Sequence, residues 1–120
     1  MNKWPVNHFV QSLVPIALCS LLAMPALAAE KAKTPVEKGK ETATKLCQAC
    51  HAFEGANQAG TVGPPFVKMA QRFPQHERLR DIIYDPQEAI KPHTMMPPFG
   101  RHGFLSKQET EQLIEFLYTL

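Results

Sequence analysis

The clearest helical pattern lies at the C-terminal end of the chain. Ser106 and Glu109 form a capping box, a pair of side chains that satisfies the first free amides of a helix. The residues that follow place apolar side chains on one face at helical spacing: Leu113, Ile114, Phe116 and Leu117. This pattern predicts a helix from residue 107 to residue 120.

A second helix is predicted further towards the N-terminus. Thr34 and Glu37 form another capping box, and Pro35 stands at the first helical position, where proline is tolerated. We expect this helix to run to about Cys50. One of its faces carries small residues at four-residue spacing, which permits another helix to approach closely: Gly39, Ala43 and Cys47.

Prolines and glycines divide the chain between these two helices. Residues 65–73 predict a short helix that Pro74 stops, and residues 75–84 predict a longer one with apolar residues at helical spacing. A single turn is expected from residue 85 to Pro92. Residues 92–104 contain too many prolines and glycines for a regular helix or a central strand. With no clear strand pattern, the predicted fold class is all-α.

The first residues have the composition of a targeting segment. Lys3 precedes an apolar run over residues 13–24, and Ala26 and Ala28 form the A-x-A pattern of a cleavage site. We predict a signal peptide over residues 1–28 and a mature domain over residues 29–120, exported to the periplasm as a soluble protein. The apolar run is too short and interrupted for a comfortable membrane span; an uncleaved membrane anchor is the alternative.

Charge and cysteine content narrow the class of protein. Cleavage removes Lys3 and leaves twelve basic side chains against eleven acidic ones, so net charge argues for no nucleic-acid or membrane partner. It also removes Cys19, so only Cys47 and Cys50 remain and no long-range disulfide is expected. A domain this small buries little surface by its own packing, and a bound apolar cofactor would fill that deficit.

Residues 47–51 read Cys-Gln-Ala-Cys-His. C-x-x-C-H is the haem c attachment pattern. On a helical turn, residues three apart lie on the same side, so the thiols of Cys47 and Cys50 can reach two vinyl groups along one haem edge and form thioethers. His51 can then bind iron as an axial ligand through a ring nitrogen. The motif predicts one covalently bound haem c.

Three other interpretations of the motif are open. A thioredoxin-like redox pair would follow a strand in a βαβ unit, a pattern the sequence does not show. A structural zinc site would need four ligands, typically including a second C-x-x-C or a histidine pair at short spacing, and neither is present. A chance match in an exported protein is the third.

A methionine is the expected second axial ligand. Met69 lies in a predicted helix and is assigned to the core, where methionine fills gaps. Met95 and Met96 lie in the proline-rich segment, and only Met96 directly precedes Pro97, which restricts it to an extended backbone. Adjacent residues of an extended chain point to opposite sides, so at most one of the two sulfurs faces the iron.

Histidines are the rival ligands. The mature chain has three besides His51: His76, His93 and His102. His93 is close to the methionines, so a bis-histidine site is the alternative, and His76 is expected to be simply solvated. An iron left with an open position would instead point to ligand binding or catalysis.

The turn at Gly63-Pro64 is predicted to support His51. A metal-bound histidine donates its other ring N–H to a carbonyl or carboxylate, and a carbonyl of this turn is a candidate acceptor. The alternative is that Pro64 and Pro65 only shape the turn.

Residues 34–120 resemble class I cytochrome c. The resemblance rests on the first helix, the C-x-x-C-H motif, Val62-Gly63-Pro64-Pro65 and the final aromatic-bearing helix. Residues 92–106, which include Met96-Pro97-Pro98-Phe99-Gly100-Arg101, are similar to SoxX, the family of small cytochrome subunits of the SoxAX complex in bacterial thiosulfate oxidation. So is the segment 69–74. In that family the axial methionine directly precedes Pro-Pro-Phe/Tyr-Gly-Arg, so the resemblance implies Met96.

The resemblance implies a class I cytochrome c fold, a small helical domain wrapped around one covalent haem. It also implies a heterodimer with a SoxA-like haem subunit. That complex, an L-cysteine S-thiosulfotransferase, joins thiosulfate to a cysteine of a SoxYZ carrier. The sulfur chemistry belongs to the SoxA haem, so this chain is expected to pass electrons to a downstream acceptor without catalysis. Two other classes stay open: a free-standing soluble electron shuttle, and a haem enzyme or gas sensor.

Overall fold

The computed structural model describes residues 31–58 and 60–120, and the predicted signal peptide, residues 1–28, lies outside them. These two ranges contain helices and no strand, which confirms the predicted all-α class. No helix within them is long and apolar enough to cross a membrane. The helices, in chain order, are α1 Pro35–Leu46, α2 Met69–Arg72, α3 His76–Tyr84, α4 Pro86–Ala89 and α5 Lys107–Leu117.

Both predicted capping boxes are confirmed. The Thr34 hydroxyl accepts a hydrogen bond from the Glu37 amide at 3.2 Å, and the Glu37 carboxylate accepts one from the Thr34 amide at 2.7 Å. Ser106 and Glu109 exchange the corresponding bonds at 3.2 and 2.9 Å. The hydrogen bonds from the cap residues lower the pKa of both glutamates, so both boxes are intact at neutral pH.

Helix α1 packs closely against α5, with the small residues of α1 at the contact. A Cβ atom added to Gly39 would lie 1.9 Å from the Gln112 carbonyl oxygen, so only glycine fits at this crossing. Ala43 and Cys47 on the same face are buried. The predicted apolar stripe of α5 is fully buried opposite them. This contact fixes the end of α1, where the C-x-x-C-H motif begins.

Helix α1 is shorter than predicted, because it ends at Leu46 and not near Cys50. The amides of Cys47 and Gln48 both donate to the Ala43 carbonyl, at 2.9 and 3.1 Å, and this shared acceptor breaks the regular i to i−4 pattern. A separate tight turn follows. In it the Cys50 amide bonds to the Cys47 carbonyl at 3.0 Å, and the His51 amide bonds to the same carbonyl at 2.8 Å.

The remaining helices differ from prediction mainly at their ends. Helix α2 has only four residues because Lys68 before it has a left-handed backbone, with φ of 50°. Helix α3 and the single turn α4 are confirmed, and the Asp85 side chain caps α4 through the Gln87 amide at 3.1 Å. Helix α5 ends at Leu117 because the last residues form tight turns. The segment 92–104 is irregular, as its prolines require.

Candidate functional site

The two cysteines of the motif lie on one tight turn. Cys47 is buried and Cys50 is half-buried, and both are free thiols. Burial raises the pKa of the Cys47 thiol to about 12, with a smaller contribution from Cys50. Cys47 therefore remains protonated at neutral pH. The thiolate is the species that attacks a disulfide or an oxidant. Because burial keeps Cys47 in the thiol form, it protects this sulfur from oxidation.

His51 is held by the turn predicted to support it. Its ring nitrogen Nδ1 lies 2.7 Å from the Pro64 carbonyl oxygen. Since a carbonyl can only accept, Nδ1 carries the proton and donates it, which leaves Nε2 of the neutral ring with a free lone pair. The predicted supporting role of the Gly63-Pro64 turn is confirmed. A histidine fixed in this tautomer is suited to bind a metal through Nε2.

Gly63 and Phe66 fix the plane of the His51 ring. A Cβ atom added to Gly63 would lie 2.3 Å from Cε1 of His51, so glycine is needed where the backbone passes the ring. The Phe66 ring stacks on His51 with centroids 4.4 Å apart and planes 18° apart. Two backbone bonds anchor this segment to the motif: the Gly63 amide to Cys50 and the Phe66 amide to Ala52, each at 2.8 Å.

Sequence reasoning missed three residues that support this arrangement. Gly60 is the first of them: a Cβ atom there would lie 2.4 Å from the Cys50 carbonyl carbon. Phe66 and Arg72 were also missed. The Arg72 guanidinium donates to the Pro65 carbonyl at 2.8 Å, next to the Pro64 carbonyl that holds His51. No spacing rule links these residues to the motif, because each acts through a contact formed only in the folded chain.

The three methionines lie in three different environments. Met69 is 2% exposed and belongs to the core, as predicted. Met95 is 83% exposed. Met96 is half-buried and packs against the core cluster that includes Cys47. Of the two adjacent methionines, only Met96 therefore directs its side chain into the protein.

One of the three rival histidines lies in a different environment from the one predicted. His93 and His102 are exposed, and His93 has a left-handed backbone with φ of 60°. The expectation that His76 is simply solvated is wrong. His76 is half-buried, and its ring packs edge-on against Tyr118 with centroids 4.3 Å apart. Helix α3 and the end of α5 bring these rings together.

The zinc interpretation of the motif requires further ligand side chains close to the two cysteines. A structural zinc site needs four ligands. Within the two described ranges, no group of three or more histidine, cysteine, aspartate or glutamate side chains is arranged to hold a metal ion.

The helical fold and the motif define a class I c-type cytochrome. The cytochrome c family model matches residues 36–120, and the chain belongs to this family. It is therefore an electron-transfer cytochrome with covalently bound haem c. No curated protein and no solved structure matches the chain.

The described residues fit haem c. Cys47 and Cys50 have unpaired thiols on one turn, at the spacing that haem c attachment requires. The hydrogen bond to Pro64 leaves the Nε2 lone pair of His51 available to a metal. The backbone passes the His51 ring at Gly63 without a side chain. A thioether sulfur, that of Met96, borders the same core.

We predict that Gly63→Ala destabilises the holoprotein by roughly 1–3 kcal/mol, the usual cost of overpacking. The cause is steric, because the added methyl group would meet the His51 ring and Gly63 has no left-handed backbone. Chemical denaturation followed by haem absorbance measures the change. Thr61→Ala, at an exposed position of the same loop, is the control. An unchanged free energy of unfolding for Gly63→Ala would show that the ring is not confined at this point.

Proposed function

We propose that Cys47 and Cys50 bind the haem as thioethers and that His51 and Met96 are its axial ligands. The observation that carries this proposal is the His51–Pro64 hydrogen bond, which orients a metal-binding nitrogen beside two free thiols. The burial of Met96 beside the exposed Met95 favours Met96 as the second ligand. Haem iron with histidine and methionine ligands supplies one-electron transfer, at a potential that the methionine raises.

The protein's own residues would then orient and enclose the cofactor. The Pro64 carbonyl holds the His51 tautomer, and Phe66 restricts the rotation of the ring. Cys47 would anchor the cofactor to the contact between α1 and α5, since it is part of the buried core. With both axial positions filled by side chains, no position is left for a substrate. The chain would therefore carry electrons and not catalyse sulfur chemistry itself.

We further propose that the chain is the SoxX-like subunit of a SoxAX-type complex in thiosulfate oxidation. This proposal is supported by the contacts that Arg72 and Arg101 make, since both lie in the segments that resemble SoxX. In the segment 69–74, Arg72 steadies the Pro64-Pro65 turn that holds His51. In the segment 92–106, the Arg101 amide bonds to the Tyr84 carbonyl at 3.0 Å, which ties the stretch after Met96 to α3. One motif thus supports the turn that holds His51, and the other supports the stretch that follows Met96.

In this role the chain would accept electrons from a SoxA-like haem subunit and pass them to a downstream acceptor. The partner subunit would join thiosulfate to the cysteine of a SoxYZ-like carrier. We also propose that residues 1–28 are a signal peptide cleaved after Ala28, so that the mature domain works in the periplasm. Covalent haem attachment is consistent with export. The thiols of Cys47 and Cys50 would both form thioethers with the haem, so neither would remain free to form a disulfide.

We predict that Met96→Ala removes the sulfur-to-iron charge-transfer band of the ferric protein, lowers the reduction potential and lets carbon monoxide bind to the ferrous protein. The reason is loss of the thioether ligand, which holds the potential high. Absorption spectra and redox titration measure these effects. Met95→Ala is the matched control and leaves all three properties nearly unchanged, since Met95 is exposed. A large effect of Met95→Ala would show that Met95, and not Met96, is the ligand. No effect of either change would favour a histidine such as His93.

We predict that the tagged chain, isolated from thiosulfate-grown native cells, retains a larger haem subunit in a stable complex. Haem staining of a denaturing gel and mass spectrometry of the co-purifying chain test this. An unrelated exported protein with the same tag is the control. Recovery of the chain alone would contradict the SoxAX role and indicate a free-standing shuttle. Carbon monoxide binding to the unaltered ferrous chain at neutral pH would indicate a haem enzyme or gas sensor.

A further inference from the structure

The segment that carries Met96 is closed by an ion pair between a buried carboxylate that precedes it and an arginine at its end. We call residues 90–101 the methionine loop; they run from the end of α4 to Arg101. Asp85, which is 5% exposed, precedes the loop. Its Oδ1 accepts a hydrogen bond from the Gln87 amide at 3.1 Å and so caps α4, from which the loop departs. Its Oδ2 accepts from the Arg101 guanidinium at the other end.

The Arg101 end of the loop rests on the last turn of α3. The Arg101 amide donates to the Tyr84 carbonyl at 3.0 Å, and the Gly100 amide donates to the Ile83 carbonyl at 3.4 Å. A Cβ atom on Gly100 would lie 2.3 Å from the Tyr84 ring, so glycine allows the contact. Helix α3 has no basic residue in its last turn. Arg101 supplies a cation there, where the helix dipole favours one.

The middle of the loop has no comparable attachment. Within the described part of the chain, no backbone group of residues 92–96 forms a hydrogen bond outside the loop. The Met96 amide bonds only to the Thr94 hydroxyl, at 3.4 Å. The position of the Met96 sulfur is therefore set by its packing against the core and by the two ends of the loop. Asp85 is the side chain that joins Arg101, at one end of the loop, to the start of α4, the single turn that leads into the other end.

We propose that Asp85 is a positioning residue for Met96, because its carboxylate links the Arg101 end of the methionine loop to the start of α4 and so keeps the thioether at the iron. The inference rests on the proposed role of Met96 as the axial ligand. Movement of Met96 away from the iron requires the loop to shift between its ends, and the Asp85–Arg101 pair opposes that shift. The guanidinium of Arg101 holds the pKa of Asp85 below its ordinary value, so the pair is charged at neutral pH.

The affinity of added imidazole for the iron reports how often Met96 leaves the iron. A ligand that binds only the methionine-released state has an apparent affinity proportional to the population of that state. In the ferric holoprotein we expect Asp85→Asn and Arg101→Gln each to raise the imidazole affinity about tenfold. The double variant should gain little more than either single one, because both changes break the same pair. Without imidazole, each variant should keep the sulfur-to-iron band. Titration of that band gives the affinities, and Arg101→Lys should restore much of the original value.

The ion pair between Arg80 and Glu111 provides the matched control. It joins α3 to α5 with two hydrogen bonds, one of them 3.0 Å from Nη2 to Oε2, and neither side chain forms a hydrogen bond with a described residue of the methionine loop. Arg80→Gln should lower the free energy of unfolding but leave the imidazole affinity unchanged. If Asp85→Asn behaves like Arg80→Gln, Asp85 is only a structural residue and the proposal is overturned.

Two further outcomes separate this proposal from the axial assignment. If Asp85→Asn fails to fold because the new amide group faces the Arg101 guanidinium, Arg101→Gln decides, since it leaves the Asp85 carboxylate and its bond from the Gln87 amide in place. If the unaltered ferric protein lacks the sulfur-to-iron band, the assignment of Met96 fails, and the role of Asp85 fails with it. If the band is present and imidazole affinity is the same in Arg101→Gln, only the role of Asp85 is wrong.

Discussion

The hydrogen bond between the His51 ring and the Pro64 carbonyl is the constraint around which the site is built. It selects one tautomer of the ring and frees Nε2 for a metal. Gly63 leaves room for the ring, Phe66 stacks on it, and Arg72 holds the neighbouring Pro65 carbonyl. The Gly63-Pro64-Pro65 segment thus holds the His51 ring, and with it one nitrogen atom, in a single orientation.

The contact between α1 and α5 determines where that support stands. Because Gly39 has no side chain, the two helices approach closely. A Cβ atom at Gly39 would lie only 1.9 Å from the Gln112 carbonyl oxygen. The same face of α1 leads through Ala43 to Cys47, which is part of the core. If the haem is attached as proposed, helix packing and cofactor attachment share this one residue. In a domain this small, a cofactor bonded to Cys47 would add stability that apolar packing alone supplies only in part.

Local patterns predicted much of the fold, because caps and prolines act on their neighbours in sequence. The boxes at Thr34 and Ser106 fixed two helix starts, and C-x-x-C-H with the Gly63-Pro64 turn located the site. Two of the features that were not predicted depend on contacts between residues distant in sequence. Phe66 stacking on His51 and His76 packing on Tyr118 leave no periodic signal. The end of α1 was misplaced because two amides share the Ala43 carbonyl, a detail that residue type does not encode.

Intact mass of the denatured protein from its native host is the most direct test of the proposed attachment. The expected mass is that of residues 29–120 plus one haem, because thioethers at Cys47 and Cys50 survive denaturation and the signal peptide is removed. The variant in which both cysteines are serine should release its haem completely on denaturation. A polypeptide that loses its haem when unfolded, or a double variant that keeps it, would contradict covalent binding through this turn.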